Sequence, residues 1–362
     1  MSRYAEYRAL AQSLGVDAVA LVPGPNFVRL MKQDFHSHER PLLLVIPAAG
    51  PVAAIVPNLE LSSFAKLGFE GEVFDWMDQS GYAGAFAALA RHIPLGSLAV
   101  EGQVMRVFVH HALATAFPGL KIVDAEREIS GLRLRKTAEE VAALEGAIRI
   151  SELALAEVLD DVRIGMTETQ IEGHLIQAMF RHGASELAFG PIVAAGENSA
   201  LPHAHARDVP VQPGDALLFD WGARHGGFCA DITRTVFVGH ASDEAQAVYE
   251  TVLQANLKGH EVTRAGITAH DVDDAVTGVL EASVFADRIR TKTGHGLGRE
   301  VHEAPYIMRG NRQLLEPGMV FTNEPGLYCI GGFGVRIEDD MLVTQDGCRS
   351  LTTFPKGLRI LG

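Results

Sequence analysis

The stretch that decides the fold is Asp220–Thr235, which reads DWGARHGGFCADITRT. An apolar run, Ala216–Phe219, leads into it, and after the Gly226-Gly227 pair Asp231, Thr233 and Thr235 alternate with Ile232 and Arg234. Alternation of period two around a Gly-Gly connection predicts a β-hairpin. Folding the second strand back brings Asp231 near Asp220, and two carboxylates in one space are costly unless they share a proton or hold a cation. We interpret the pair as part of a cation site.

A second hairpin of the same kind is predicted further along the chain. The segment Gln212-Pro213-Gly214 recurs as Glu316-Pro317-Gly318, and the acid that follows each is offset by the same 104 residues. Each hairpin carries two acids; the four are Asp220, Asp231, Glu324 and Glu338. The repeat predicts two halves related by a pseudo-twofold axis, with all four carboxylates converging between them.

Helix pairs precede both hairpins. Thr137 and Thr167 are each followed three residues later by Glu or Gln, which is the spacing of a capping box at a helix start. After the first hairpin the order recurs, with a helix from about Asp243 and another opened by Gly266-Ile267-Thr268. We therefore predict an α+β unit for the second part of the chain.

The first part of the chain alternates helix and strand patterns and contains no chemical motif of its own. We predict helices over 4–14, 84–92 and 103–117, strands over 18–22, 42–46, 52–56, 98–100 and 120–123, and a turn at Pro23–Asn26. This is the pattern of an α/β domain. We place it at residues 1–128 and the second domain at 129–362.

One histidine joins the acids as a candidate ligand. His295 lies in Thr293–Gly298, where flanking glycines allow close approach of backbone and ligand. Four carboxylates and one imidazole form an oxygen-rich set with room for two divalent ions, and such a set favours Mn²⁺, with Co²⁺ or Zn²⁺ as alternatives. Paired metals about 3.5–4 Å apart can deprotonate a shared water and stabilise the oxyanion that its attack creates.

Bulk properties exclude several classes of protein. The 362 residues favour two domains, and a formal net charge of −14 argues against nucleic-acid binding. The three cysteines form no spaced pair, which suits a reduced cytoplasmic setting. Residues 1–20 lack the apolar segment of a signal peptide, and the longest apolar run, Pro41–Val56, is too short and interrupted to span a bilayer. We expect a soluble protein.

These motifs resemble the pita-bread metallopeptidases, the group of aminopeptidase P, prolidase and methionine aminopeptidase. The matching stretches are 220–235 (DWGARHGGFCADITRT), 294–303 (GHGLGREVHE), 322–328 (TNEPGLY), 334–339 (GVRIED) and 192–203 (IVAAGENSALPH). The first domain resembles the creatinase-type N-terminal domain of the proline-specific branch. The resemblance thus implies a creatinase-like domain followed by a pita-bread catalytic domain.

The resemblance also implies a role for each site residue. Asp220 and Asp231 would bind one ion and His295 and Glu324 the other, with Asp231 and Glu338 bridging. Glu324 would also carry the proton of the attacking water to the proline nitrogen. His203 and His302 match the two histidines that contact the substrate. Phe189 matches an aromatic residue that lines the substrate pocket, and packing in the core is the alternative role. Arg336 would either support the bridging carboxylate or contact the substrate.

One departure from the family concerns Tyr306. Some prolidases have a basic residue four positions after the second histidine, where it holds the carboxylate of a dipeptide, and here that position is Tyr306. The resemblance would then require another cation, such as Arg299, Arg309 or Arg40.

We therefore expect an enzyme that cleaves between an N-terminal residue and proline. An Xaa-Pro dipeptidase (prolidase) is the main hypothesis and an aminopeptidase P acting on longer peptides is its close alternative. A metal-free creatinase-like hydrolase and a non-catalytic binding protein are the other classes, and the intact ligand set argues against both. By resemblance we expect a homodimer. The polar loop His36–Arg40 either is a solvated loop, which is the simpler interpretation, or reaches over an active site of the dimer.

Overall fold

The computed structural model describes residues 2–35 and 38–362, so the first two residues of the predicted loop, His36 and Ser37, lie outside the described residues. The chain divides into two units, one ending at Arg133 and the other running Leu134–Gly362. The domain boundary predicted after residue 128 stays a prediction. In the described part of the chain, no helix combines the length and apolar character that a membrane span requires.

The first unit alternates helices and strands. Its elements are α1 (Ala5–Leu14), β1 (Ala18–Leu21), α2 (Pro25–Met31), β2 (Leu43–Pro47), β3 (Ala53–Pro57), α3 (Leu61–Ala65), β4 (Glu72–Trp76), α4 (Ala83–His92), β5 (Ser97–Val100), α5 (Val107–Ala116), β6 (Lys121–Asp124) and α6 (Glu126–Gly131). The strands form one mixed sheet in the order β4-β3-β2-β1-β5-β6. Successive residues of β1, such as Val19 and Ala20, belong to apolar clusters on opposite faces of the sheet. Both faces are therefore covered, which explains why the central strands are apolar throughout.

The first unit differs from the sequence prediction at α2 and β4, and the short helices α3 and α6 were not predicted either. The turn predicted at Pro23–Asn26 is wrong in its second half, because α2 begins at Pro25 with Gly24 as its N-cap. Proline suits the first helical position, since its missing N–H has no partner there anyway. The strand β4 was not predicted; it lies at the sheet edge with mostly exposed or half-buried side chains, so it lacks a clear apolar pattern.

The second unit holds two helix pairs and several small sheets. Its elements are α7 (Ala138–Asp161), α8 (Glu168–Arg181), β7 (Glu186–Leu187), β8 (Ile192–Ala195), β9 (Ala216–Trp221), β10 (Ala223–His225), β11 (Phe228–Cys229), β12 (Ile232–Val238), α9 (Asp243–Val262), α10 (Ala269–Glu281), β13 (Gly294–Gly296), β14 (Glu303–Ile307), β15 (Val320–Asn323), β16 (Gly326–Tyr328), β17 (Gly334–Arg336), β18 (Asp339–Val343), β19 (Cys348–Ser350) and β20 (Ile360–Leu361). The predicted capping boxes at Thr137 and Thr167 are confirmed, and so are helix starts at Asp243 and after Thr268.

The two halves of the second unit have the same order of elements. In the first half α7 and α8 precede the antiparallel pair β9 and β12, and in the second half α9 and α10 precede the antiparallel pair β15 and β18. The main sheets run β20-β12-β9-β8 and β14-β13-β15-β18-β19. A helix pair and a strand pair thus recur in each half as the repeat predicts, whereas the pseudo-twofold axis itself stays a prediction.

A polar seam joins the halves between β12 and the chain segment around β17 and β18. The Glu338 amide donates to the Thr233 carbonyl over 3.1 Å, and the Arg336 amide donates to the Thr235 hydroxyl oxygen over 3.2 Å. Two apolar clusters support the second unit, one built mostly from the first half and the other mostly from the second half. Charged side chains from both halves therefore meet where backbone and hydroxyl groups can hold them.

Candidate functional site

The first hairpin brings its two acids to the seam. In the β9–β12 pairing Asp220 lies opposite Thr233, while Asp231 stands just before β12. The connection between β9 and β12 is longer than one turn, because β10 and β11 form a further antiparallel pair within it. Gly226 and Gly227 join β10 to β11, and their φ angles of 59° and 78° are in the left-handed region that glycine tolerates. Asp220 and Asp231 together with Glu338 offer ligand oxygens that all lie within 4.8 Å of one another.

The second half contributes Glu324 and Glu338. Glu324 directly follows β15, and its backbone amide donates to the Thr293 carbonyl over 2.8 Å. Glu338 lies between β17 and β18 and is almost fully buried. Its Oε2 accepts a 2.6 Å hydrogen bond from the Thr233 hydroxyl, so a residue of the first hairpin holds an acid of the second.

His295 lies on β13 with its imidazole against these acids. Its Nε2 is 3.2 Å from Glu324 Oε1 and 3.6 Å from Asp231 Oδ2, and its Nδ1 is 3.2 Å from the Gly296 carbonyl oxygen. Because a carbonyl only accepts, Nδ1 carries a proton in either charge state. Nε2 faces the acids, where it donates to Glu324 in the imidazolium form and offers its lone pair to a metal ion in the neutral form. A side chain at Gly294 would lie 1.8 Å from the Thr322 carbonyl oxygen, so glycine is needed there for β13 to approach β15.

Burial makes this arrangement of acids unfavourable without a cation. Burial raises the pKa of Asp231 and of Glu338 well above the ordinary carboxyl range, and the neighbouring acids raise it further. Burial likewise raises the pKa of Asp220, although Arg336 opposes that effect. For Glu324 the effect of burial is outweighed by the hydrogen bond and charge of His295, so its pKa is lowered. The site therefore attracts positive charge.

The free acceptor atoms fit a metal ion. Within the described residues, the buried Asp220 Oδ1 and Glu338 Oε1 have no hydrogen-bond partner. His295, Glu324 and Glu338 form a second group whose ligand atoms lie within 4.8 Å of one another. Buried oxygens without a donor and one imidazole lone pair suit a divalent cation such as Mn²⁺, Co²⁺ or Zn²⁺.

Each nitrogen of the Arg336 guanidinium donates a hydrogen bond to a protein group. Its Nη2 donates to Asp220 Oδ2 over 2.5 Å, its Nε to the Thr233 hydroxyl oxygen over 3.0 Å and its Nη1 to the Tyr328 hydroxyl over 2.7 Å. The side chain is buried, although it lines the adjoining cavity. Of the two roles expected for Arg336, these bonds favour the support of a carboxylate, which here is Asp220.

A cavity of about 550 Å³ opens beside the acids. It is lined by Phe189, Gly190, Ile192, Pro202, His203, Ala204, His205, Asp220, Asp231, Thr291, His295, Glu300, Val301, His302, Glu324, Arg336 and Glu338. All the candidate site residues named from the sequence thus border one space. Sequence reasoning missed the role of Thr233, whose position on the same face as Asp231 was a usable signal. It also left out His205, which lines the cavity two residues after His203.

His302 stands against His295, with 3.9 Å between the ring centroids. Its partial withdrawal from solvent, together with the positive charge that His295 can carry, lowers the pKa of His302 to about 4. The imidazole is therefore neutral near pH 7, and it can donate one hydrogen bond into the cavity without adding a charge.

A buried glutamate holds the loop that carries His203. Glu168, in the first turn of α8, accepts hydrogen bonds from the Ala195 amide (2.8 Å), the Asn198 side chain (2.9 Å) and the Arg207 amide (2.7 Å). The donors bracket His203 on both sides in the chain. The loop is therefore fixed at both ends by one carboxylate.

Comparison with known proteins gives concordant results. Residues 142–345 match the family described as metallopeptidase family M24, and residues 3–135 match the creatinase/prolidase N-terminal domain. The Xaa-Pro dipeptidase of Lactobacillus helveticus is 34% identical over 90% of this chain and 89% of its own. The solved prolidase of Thermococcus sibiricus has a TM-score of 0.94 at 32% identity, covering 99% of this chain and 98% of its own. The Xaa-Pro dipeptidase of Bacillus anthracis has a TM-score of 0.92 at 29% identity, covering 100% and 99%.

Proposed function

Since the chain belongs to metallopeptidase family M24 and carries a creatinase/prolidase N-terminal domain, we propose that it is a metal-dependent Xaa-Pro dipeptidase. It hydrolyses the peptide bond between an N-terminal residue and a C-terminal proline. The family resemblance read from the motifs is confirmed, as are the creatinase-type first domain and the pita-bread catalytic domain. The likeness to enzymes named Xaa-Pro dipeptidase and prolidase supports this substrate class over that of aminopeptidase P.

The observation that carries the proposal is the convergence of buried acids around one imidazole. We assign the divalent metal ions to Asp220, Asp231, His295, Glu324 and Glu338, and we propose Mn²⁺ as the metal because oxygen ligands dominate the set. Bound ions would supply water activation and charge stabilisation. Two unsatisfied buried oxygens, Asp220 Oδ1 and Glu338 Oε1, support this assignment within the described residues.

The protein groups then have distinct chemical roles. Glu324 accepts the proton of the attacking water and returns it to the proline nitrogen as the bond breaks, because a carboxylate at the site's edge can act as base and then as acid. His203 and His302 donate hydrogen bonds to the scissile carbonyl oxygen, on which negative charge develops. Arg336 keeps Asp220 oriented and favours its ionised form.

The cavity wall supports a preference for proline. Phe189, Ile192, Pro202 and Val301 present apolar surface beside the acids. A pyrrolidine ring is compact and apolar, and its nitrogen has no N–H to satisfy once the peptide is bound. An apolar wall therefore accepts proline without leaving a buried donor unpaired.

We also propose a cytoplasmic homodimer. The three cysteines are free thiols in the structure, which suits a reducing compartment. The dimer is an expectation of the family resemblance, and the mass of the protein in solution, measured by light scattering, decides between one and two copies of the 38.9 kDa chain.

The decisive assay compares peptides with the purified protein reloaded with Mn²⁺ after chelation. Ala-Pro should be cleaved, Ala-Pro-Ala much more slowly, and Ala-Ala not measurably; the chelated protein should be inactive on all three. Preference for Ala-Pro-Ala would favour aminopeptidase P. Activity that survives exhaustive chelation would favour a creatinase-like mechanism, and hydrolysis of no Xaa-Pro peptide would overturn the proposal.

A further inference from the structure

Asn256, a buried residue of α9, bonds to the chain directly before two of the site acids. Its side-chain Nδ2 donates to the carbonyl of Asn323 over 3.0 Å and to the carbonyl of Ile337 over 3.3 Å. Glu324 directly follows the first of these carbonyls, and Glu338 directly follows the second. One amide group therefore bonds both segments of chain that carry the two glutamates.

These glutamates lie where the pairing of strands is interrupted. Glu324 is between β15 and β16, and Glu338 is between β17 and β18. The β15–β18 pairing and the β16–β17 pairing therefore stop on either side of both acids. Within this gap the Ile337 amide donates to the Pro325 carbonyl over 3.3 Å. Asn256 spans the same gap from α9, so it adds a further link between the two segments.

The orientation of the Asn256 amide follows from its partners. Lys356 Nζ lies 2.9 Å from Asn256 Oδ1, and because an ammonium only donates, the atom facing it is the oxygen. Nδ2 then faces the two carbonyls, which only accept. Asn323 donates back to the backbone carbonyl of Asn256 over 2.8 Å, and a side chain at Gly259 would lie 2.6 Å from the Asn323 amide. This close packing requires a donor at Asn256 on the side of the carbonyls.

Glu338 also has support from the first half of the unit. Arg234 Nη1 donates to the Glu338 carbonyl over 2.6 Å, and the Thr233 hydroxyl donates to the Glu338 carboxylate. These bonds hold Glu338 against β12, and they do not set its distance from Glu324. That distance depends on groups within the second half, and Asn256 is a side chain of that half that bonds next to both acids.

We propose that Asn256 is a positioning residue, which sets the separation of Glu324 and Glu338 and thereby the affinity for the metal ion held by these acids and His295. Ligand atoms of the three residues lie within 4.8 Å of one another. A shift of either carbonyl moves the carboxylate that follows it, and groups that orient metal ligands influence affinity in this way. The inference rests on the metal site of the proposed function. It predicts a smaller effect on the ion bound at the first hairpin.

The test titrates Mn²⁺ into the chelated full chain, with calorimetry for affinity and electron paramagnetic resonance for the pairing of ions. Asn256→Asp keeps the size and the acceptor for Lys356, but it turns an oxygen toward two carbonyl oxygens. One of the two Mn²⁺ affinities should fall by roughly 10–100-fold and the other should change much less. At two equivalents of Mn²⁺, the spectrum of a coupled pair should give way to that of a single bound ion. Asn256→Ala, which adds no charge, should lower the same affinity.

The matched control is Asn311→Asp, because Asn311 makes the same two kinds of bond away from the acids. Its Nδ2 donates to the Tyr306 carbonyl over 2.6 Å and its Oδ1 accepts from the Gln313 amide over 3.1 Å. Both Mn²⁺ affinities should equal those of the unmodified protein.

A purely structural role for Asn256 would lower Tm and leave Mn²⁺ binding as it is below the unfolding transition. Unchanged affinities and an unchanged spectrum in either Asn256 variant would therefore overturn the inference, and so would an equal loss of both ions. Absence of paired Mn²⁺ in the unmodified protein would instead overturn the proposed metal centre.

Discussion

Glu324 is the acid of the site whose pKa is lowered, whereas the pKa values of Asp220, Asp231 and Glu338 are raised. Burial would raise its pKa, as it does for Asp231 and Glu338, but the adjacent His295 lowers it. Its side chain is 17% exposed, against 6% for Asp231, so it stands at the open side of the acid cluster. An ionised carboxylate at this edge is placed to take a proton from water and give it to a leaving group.

Replacing Glu324 should therefore remove catalysis while the fold remains. Glu324→Gln should lower kcat by about 10²–10⁴-fold, since the amide cannot accept and return a proton, and should weaken Mn²⁺ binding measured by calorimetry. Glu316→Gln, the same change at an exposed glutamate, is the control and should behave as the unmodified protein. A fully active Glu324→Gln enzyme would refute the assigned role.

Arg336 acts on the site through Asp220. With the guanidinium gone, Asp220 keeps its burial but loses its hydrogen-bond donor, so its pKa should rise further. Arg336→Met should weaken Mn²⁺ binding by roughly 10–100-fold, the usual cost of losing a group that orients a metal ligand. Titration calorimetry at a pH near 7 measures it.

The matched control for Arg336→Met is Arg359→Met, which removes a guanidinium that is 45% exposed and lies 3.5 Å from Asp160. Unchanged Mn²⁺ affinity in Arg336→Met would mean that Asp220 needs no support. A substrate-binding role for Arg336 would instead appear as a raised KM with intact metal affinity.

At the scale of elements, the beginning of α8 fixes the loop of His203. Glu168 is fully buried and binds donors at both ends of that loop, including the side chain of Arg207 as well as its amide. A helix N-terminus also favours a negative charge in its first turn. The helix thus positions a catalytic candidate that it does not itself carry.

Glu168→Gln should destabilise the protein by about 2–3 kcal/mol, because one carboxylate oxygen is replaced by an amide that cannot accept these bonds. Denaturant unfolding measures this loss. Below the unfolding transition, kcat for Ala-Pro should fall while Mn²⁺ affinity stays the same, since no metal-site acid is touched. Glu139→Gln, in the first turn of α7 and exposed, is the control. A parallel loss of metal affinity would point to general unfolding instead of a loosened loop.

At the scale of the whole molecule, the buried acids link stability to pH and metal. In the metal-free fold the pKa values of Asp231 and Glu338 are raised, so the folded state binds more protons than the unfolded state above the ordinary carboxyl range. Stability contributed by such groups is present at low pH and is lost as pH rises toward their folded pKa values. The pKa of His302 is lowered to about 4, so this group contributes stability that increases with pH. The pH range over which that contribution changes lies below neutrality.

The Tm of the chelated protein should therefore fall as the pH is raised above the ordinary carboxyl range, and Mn²⁺ should raise Tm more at the upper end of that range of pH than at its lower end. Calorimetric scans with and without chelator measure both. Asp231→Asn should raise the Tm of the chelated protein, because it removes a buried charge, and should abolish most of the gain from Mn²⁺. Asp243→Asn, at the exposed start of α9, is the control. A gain from Mn²⁺ that is independent of pH would contradict the linkage.

The sequence by itself determined the local features of this protein. The capping boxes at Thr137 and Thr167 and the hairpin around Gly226 are readable from residues within a few positions of one another, because helix starts and turns depend on local backbone chemistry. The repeated acids are readable from a constant offset of 104 residues. The family also followed from these motifs. Where the pattern was weak, as at the edge strand β4 or at the proline that opens α2, the prediction failed.

Only the tertiary structure decided which groups meet. Thr233 bonds Glu338 across 105 residues of chain, and Arg336 bonds Asp220 across 116. Side chains so far apart in sequence are brought together by the packing of two halves around one seam. No local pattern encodes that packing, because the geometry depends on every element that the seam joins.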